Sequence, residues 1–127
     1  RTILVVDDEP AVRDVIRRFL EIAGYHVTCA ANSAEAEELL NGGLQPDLAI
    51  LDLMMPKEDG LGSFQLLRRL RPQLPILLCT GLIAADPAEE MLQCRSVSVL
   101  RKPFRMNELW YAVNQALAAA DCPAVES

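Results

Sequence analysis

Five short apolar runs alternate with longer amphipathic segments, and this alternation constrains the fold more than any other feature. The runs occupy residues 3–6, 25–29, 47–52, 75–80 and 97–100. Runs apolar at consecutive positions, rather than at every second one, are covered on both faces, and strands buried on both faces build parallel sheets. The run at 25–29 is β-rich and only partly alternating, which marks it as an edge or near-edge strand. Between the runs the apolar period lengthens to that of a helix. Residues 11–23 place Val12, Val15, Ile16, Phe19, Leu20 and Ala23 on one face, which Ile22 widens, after Pro10 and before Gly24. Ser33 is the expected cap of a second helix that runs to Leu40 and stops at 41–43. A third helix is expected over 61–70. A short fourth at 87–94 follows the start signature Asp86-Pro87-Ala88-Glu89. A last one begins after an Asn107 cap and reaches about residue 120. Strands alternating with helices, joined by short connections with right-handed crossovers, give an α/β fold. The expectation is a three-layer, doubly wound sandwich of five parallel strands and five helices.

At 127 residues there is room for one domain, expected over 1–121, with 122–127 as a frayed tail. A hydrophobic share of 51% is enough to build a core. Twelve basic against eighteen acidic residues leave a formal charge of -6. That argues against a nucleic-acid surface, which needs a basic stripe, and against an anionic membrane. No apolar run approaches the roughly 18 residues of a membrane span. The four cysteines, at 29, 79, 94 and 122, include no C-x-x-C pair, and there is one histidine, so a zinc site is not expected. Cys29 and Cys79 lie in apolar runs and read as reduced, buried thiols, which suits a cytoplasmic protein. The first residue is Arg rather than Met, as in a domain cut from a longer chain.

In an open α/β sheet, ligands bind beyond the carboxyl ends of the strands. The first run ends in Asp7, Asp8 and Glu9, the third in Asp52, the fourth in Thr80, and the fifth runs into Lys102. Each residue has a plainer reading when taken singly: Asp makes turns and caps helices, Thr is structural, and Lys is a surface charge. The conjunction on four strands outweighs those readings. Carboxylates converging on one rim raise one another's pKa and call for a hard divalent cation such as Mg²⁺, which shares its coordination with phosphate oxygens. Carboxylate, metal, Lys and hydroxyl are the parts that stabilise a transferring phosphoryl group, and a carboxylate there can itself be the nucleophile. Asp7, Asp8, Glu9, Asp52 and Lys102 together carry half of the chain's net charge.

The motifs Asp7-Asp8-Glu9-Pro10, Asp52-Leu53-Met54-Met55-Pro56 with Asp59-Gly60, Thr80-Gly81 and Lys102-Pro103-Phe104, in this order, resemble the receiver domain of two-component response regulators. The resemblance covers residues 2 to about 120. It implies strand order 2-1-3-4-5 and a signalling domain, not an enzyme, beyond its own phosphorylation and dephosphorylation. Asp52 would accept a phosphoryl group from the phosphohistidine of a histidine kinase or histidine phosphotransfer domain. Asp8 and Asp52 would bind Mg²⁺ directly, Asp7 largely through water, and the main-chain carbonyl of Met54 would be a further ligand. Thr80 and Lys102 would contact phosphoryl oxygens and switch the face made by the fourth helix, fifth strand and fifth helix. A homodimer through that face and a fused output or kinase domain also fit the resemblance.

Three positions depart from the family pattern. Val99 stands where many receivers carry a switching Tyr or Phe. Met54 and Leu82 stand two residues beyond Asp52 and Thr80, where the family tunes phospho-aspartate hydrolysis. Other readings fit less well. A degenerate receiver used only for pairing has no need of the intact acids, Thr80 and Lys102. An aspartate-nucleophile phosphatase needs a second Asp two residues after the first. A flavodoxin-like carrier needs a phosphate loop where Asp7-Asp8-Glu9 would repel phosphate. His26 reads as surface, and of Trp110 and Tyr111 one is expected to face the core.

Overall fold

Consecutive apolar residues do build strands here, because each has a helix to cover either side chain direction. The computed structural model describes residues 1–53, 60–80, 97–101 and 104–121. The expected fourth helix at 87–94, the loop before it and the tail at 122–127 lie outside the described residues. The strands are β1 (Thr2–Val6), β2 (His26–Ala30), β3 (Leu48–Asp52), β4 (Ile76–Thr80) and β5 (Val97–Arg101). All pairings are parallel, in the order β2-β1-β3-β4-β5. The helices are α1 (Pro10–Ile22), α2 (Ser33–Asn41), α3 (Gly60–Leu70) and α4 (Met106–Asp121), the last being the fifth expected from the sequence.

Side chains alternate across a strand, so each strand feeds two cores. Leu4, Val6, Ala49, Leu51, Ile76 and Leu78 meet Ala36 and Leu40 of α2 and Phe64 and Leu67 of α3. Ile3, Val5, Leu48, Ile50, Leu77 and Cys79 meet Ile16 and Leu20 of α1 and Leu109, Val113 and Leu117 of α4. β3 and β4 are buried along their whole length. The β2 run sits at the sheet edge, as its partial alternation suggested.

Three local expectations are corrected. Asn32, not Ser33, caps α2: its Oδ1 accepts from Glu35 N at 2.9 Å, and Glu35 Oε1 accepts from Ala31 N at 2.7 Å. Asn and Ser are equivalent as caps, so only the reciprocal reach of Glu35 decides between neighbours. Asn107 is not the cap of α4. That helix starts one residue earlier, with the Arg105 carbonyl accepting from Leu109 N at 3.1 Å. Val15 and Ile22 of α1 are exposed, as are both Trp110 and Tyr111 of α4. The sheet offers each helix one narrow stripe, which Ile16 and Leu20 fill on α1, and Leu109 and Val113 on α4.

Cys79 is buried, whereas Cys29 is only partly so, and both are free thiols. Burial pushes the Cys29 thiol up, outweighing the opposite pull of Arg17 and Arg13. Cys29 should therefore alkylate more slowly at pH 8 than free cysteine, followed peptide by peptide. Equal rates would contradict this. The thiol's contribution to stability is present below its unfolded pKa and is lost as pH rises through the folded value.

Among the described residues no helix is long and apolar enough to cross a membrane.

Candidate functional site

Parallel register brings the acids together. Val6 pairs with Leu51, so Asp7 and Asp52 each stand one residue beyond a paired position at the same sheet edge. Asp52 in turn pairs with Cys79, which places Thr80 next along β4. One carboxylate oxygen from each of Asp7, Asp8 and Asp52 lies within 4.8 Å of the others. An octahedral Mg²⁺ with bonds of about 2.1 Å holds its ligand oxygens about 3.0–4.2 Å apart. Carboxylate oxygens gathered within 4.8 Å of one another are close enough to converge on one such ion. Asp7 and Asp52 are 3% and 4% exposed, and Asp8 is open to solvent, as a cation entry side requires. Three carboxylates meeting at one point, one of them open to solvent, are a hard-oxygen donor set of the kind that fits Mg²⁺.

The turn that carries Asp7 and Asp8 is fixed from several directions. Asp7 N donates to the Ala30 carbonyl at 3.1 Å. Asp7 Oδ1 accepts from Glu9 N at 3.0 Å, and the Asp7 carbonyl accepts from Arg13 Nη1 at 2.6 Å. Pro10 then opens α1, whose positive N-terminal end favours anions at this rim. On β4, Thr80 is fully buried, and among the described residues its Oγ1 has no hydrogen-bond partner. A buried hydroxyl without a partner costs about 1–3 kcal/mol. That cost is expected at functional sites rather than in a plain core.

Two predicted site residues, Lys102 and Met54, lie outside the described residues. The others, Asp7, Asp8, Asp52 and Thr80, stand at the carboxyl edge of neighbouring strands. In the sequence, Arg13 reads with Arg17 and Arg18 as a basic patch on the first helix, a docking face for a phosphotransfer partner or a solvated face; its spacing from Asp7, six residues on and one helical turn into α1, is the signal for a role at this rim.

The family model of the response regulator receiver domain matches residues 3–114. This chain belongs to that family. Response regulator MprA of Mycobacterium sp. (strain KMS) is 40% identical to the receiver domain over 107 residues, which are 84% of this chain and 46% of MprA. The DNA-binding dual master transcriptional regulator RpaA of Synechocystis sp. (strain ATCC 27184 / PCC 6803 / Kazusa) is 36% identical over 121 residues, 94% of this chain and 50% of RpaA. This receiver domain thus spans about half the length of these relatives. The crystal structure of a response regulator receiver domain protein from Clostridium thermocellum superposes with a TM-score of 0.82 at 30% identity, over 92% of this chain and 94% of that one. The expected fold, with its 2-1-3-4-5 order, is the fold observed.

Proposed function

We propose that this receiver domain is a Mg²⁺-dependent phosphoacceptor switch in which Asp52 takes a phosphoryl group from the phosphohistidine of a histidine kinase or phosphotransfer domain. The observation that carries this reading is the meeting of two buried carboxylates, Asp7 and Asp52, with solvent-open Asp8 in one cluster. An Asp52 carboxylate oxygen attacks phosphorus, the P–N bond breaks, and its electron pair returns to the departing imidazole. Bound Mg²⁺ would neutralise charge on the phosphoryl oxygens. Asp8 and Asp52 would hold it directly, Asp7 through water and the Met54 carbonyl as a further ligand. Thr80 would donate its hydroxyl to a phosphoryl oxygen, and Lys102 would supply a compact positive charge beside it.

Phosphorylation adds charge and acceptor oxygens at Asp52. Thr80 then gains a partner it lacks in the resting state, and contacts that differ between two states shift their populations. β4 passes this to its neighbour, since Thr80 pairs with Arg101 of β5. The responding face is that of β5, α4 and the expected helix before β5. It carries a groove of about 700 Å³ lined by Val99, Trp110 and Tyr111 among others. Val99 has no ring to swing, so the signal travels by backbone and helix movement. That face is also where a homodimer would form. Residues 1–121 would carry the whole receiver, with 122–127 as a tail. Cytoplasmic residence suits the family's role, as would a stand-alone receiver or one fused to an output or kinase domain; RpaA, as a DNA-binding regulator, illustrates such an output.

Beryllofluoride, which mimics a phosphoryl group, should bind the wild type with Mg²⁺ and fail on Asp52→Ala. Equal binding to both would refute the assignment. Met54 and Leu82, apolar where an attacking water is usually positioned, should make the phospho-aspartate long-lived. After phosphorylation by acetyl phosphate, the label should persist for minutes or longer; decay within seconds would overturn this.

A further inference from the structure

We infer that Arg13 is a positioning residue for the metal site, acting through the main chain of the β1–α1 turn; this rests on the phosphoacceptor reading above. The Arg13 side chain holds the turn, and its backbone closes the first turn of α1. Its Nη1 donates to the Asp7 carbonyl at 2.6 Å, and its backbone N donates to the Glu9 carbonyl at 3.0 Å. These two bonds bracket Asp8, the solvent-open carboxylate of the cluster. Local capping does not do this work, since Glu9, at the N-cap of α1, makes no side-chain cap hydrogen bond. The guanidinium bond is charge-assisted and partly buried, which places it among the stronger kinds. With Asp7 N on the Ala30 carbonyl and Asp7 Oδ1 on Glu9 N, the Arg13 bond completes a fixed Asp7. A fixed Asp7 peptide sets the direction from which Asp8 reaches toward Asp52. Partners one step removed from the ligands commonly set metal affinity in this way.

Charge and positioning predict opposite signs. A guanidinium near a cation site repels the cation, so an influence through charge alone would make Arg13→Gln bind Mg²⁺ more tightly. A positioning role makes the same variant bind more weakly. The expected result, by isothermal titration of Mg²⁺ into the purified chain, is a loss of about tenfold in affinity. Arg13→Lys, which keeps a donor of similar reach, should recover part of it, and it serves as the test if the Gln variant does not fold. Amide exchange without metal should quicken at Asp8 and Glu9 and not along the rest of α1. Unchanged or tighter Mg²⁺ binding in Arg13→Gln would overturn the inference. So would weaker binding accompanied by exchange faster along all of α1, which would mark a merely structural residue. A wild type that does not bind Mg²⁺ would overturn the phosphoacceptor reading instead, with exchange at Asp8 and Glu9 still deciding whether Arg13 holds the turn.

Discussion

Asp52→Asn should abolish phosphoryl acceptance and at the same time stabilise the metal-free fold. The two effects share one cause. Asp52 is almost wholly buried and its carboxylate meets those of Asp7 and Asp8 within 4.8 Å. At an effective dielectric of about 20, like charges at such a separation repel by roughly 3 kcal/mol per pair. Asp8 faces water, which screens its share, and other contacts of Asp52 offset part of the rest. A net gain of about 1 kcal/mol is expected from the neutral amide in EDTA. The amide is no nucleophile toward phosphorus, so labelling by acetyl phosphate should vanish in an intact-mass measurement. Mg²⁺ should raise the melting temperature of the wild type by mass action and that of the variant far less. A variant that still takes up one phosphoryl group, or that melts lower than the wild type in EDTA, would contradict the site as described.

Thr80→Val should likewise separate stability from function. The side chains have nearly the same shape, and the Thr80 hydroxyl is buried without a hydrogen-bond partner among the described residues. Removing it relieves a desolvation cost, so the variant should be more stable by about 1 kcal/mol in urea unfolding. The same hydroxyl is proposed as a donor to the phosphoryl group, and loss of one such donor costs about 10²–10³-fold. Beryllofluoride affinity and the phosphorylation rate should both fall toward that range. Weakened stability would mean that the hydroxyl is satisfied in the resting state. Unchanged beryllofluoride affinity would mean that it never meets the phosphoryl group.

Much of the architecture was legible along the chain because strand burial on both faces is written in consecutive apolar residues. Leu48 to Leu51 and Ile76 to Cys79 leave no polar face, and such strands have only the middle of a parallel sheet to occupy. The acids were legible because they interrupt those runs at one end. Neighbouring choices were not. Asn32 and Ser33 are equally good caps, and Glu35 alone decides between them. Val15 and Ile22 satisfy the helical period of α1 yet remain outside, because the sheet beneath is narrower than the helix's apolar arc. The adjacent Trp110 and Tyr111 were expected to divide between core and surface. Both stay out, since Leu109 and Val113 fill the layer above Ile50 and Leu77.

Residue types and their period thus determined, by themselves, that this chain is a doubly wound parallel α/β domain with an acidic rim, since burial and strand ends are local properties. Tertiary structure alone decided which atoms of that rim meet. The 4.8 Å carboxylate cluster, the unpartnered Thr80 hydroxyl and the reach of Arg13 to the Asp7 carbonyl depend on how separate strands are set in register and how α1 packs beside them. No single segment carries that information, because register is a relation between strands.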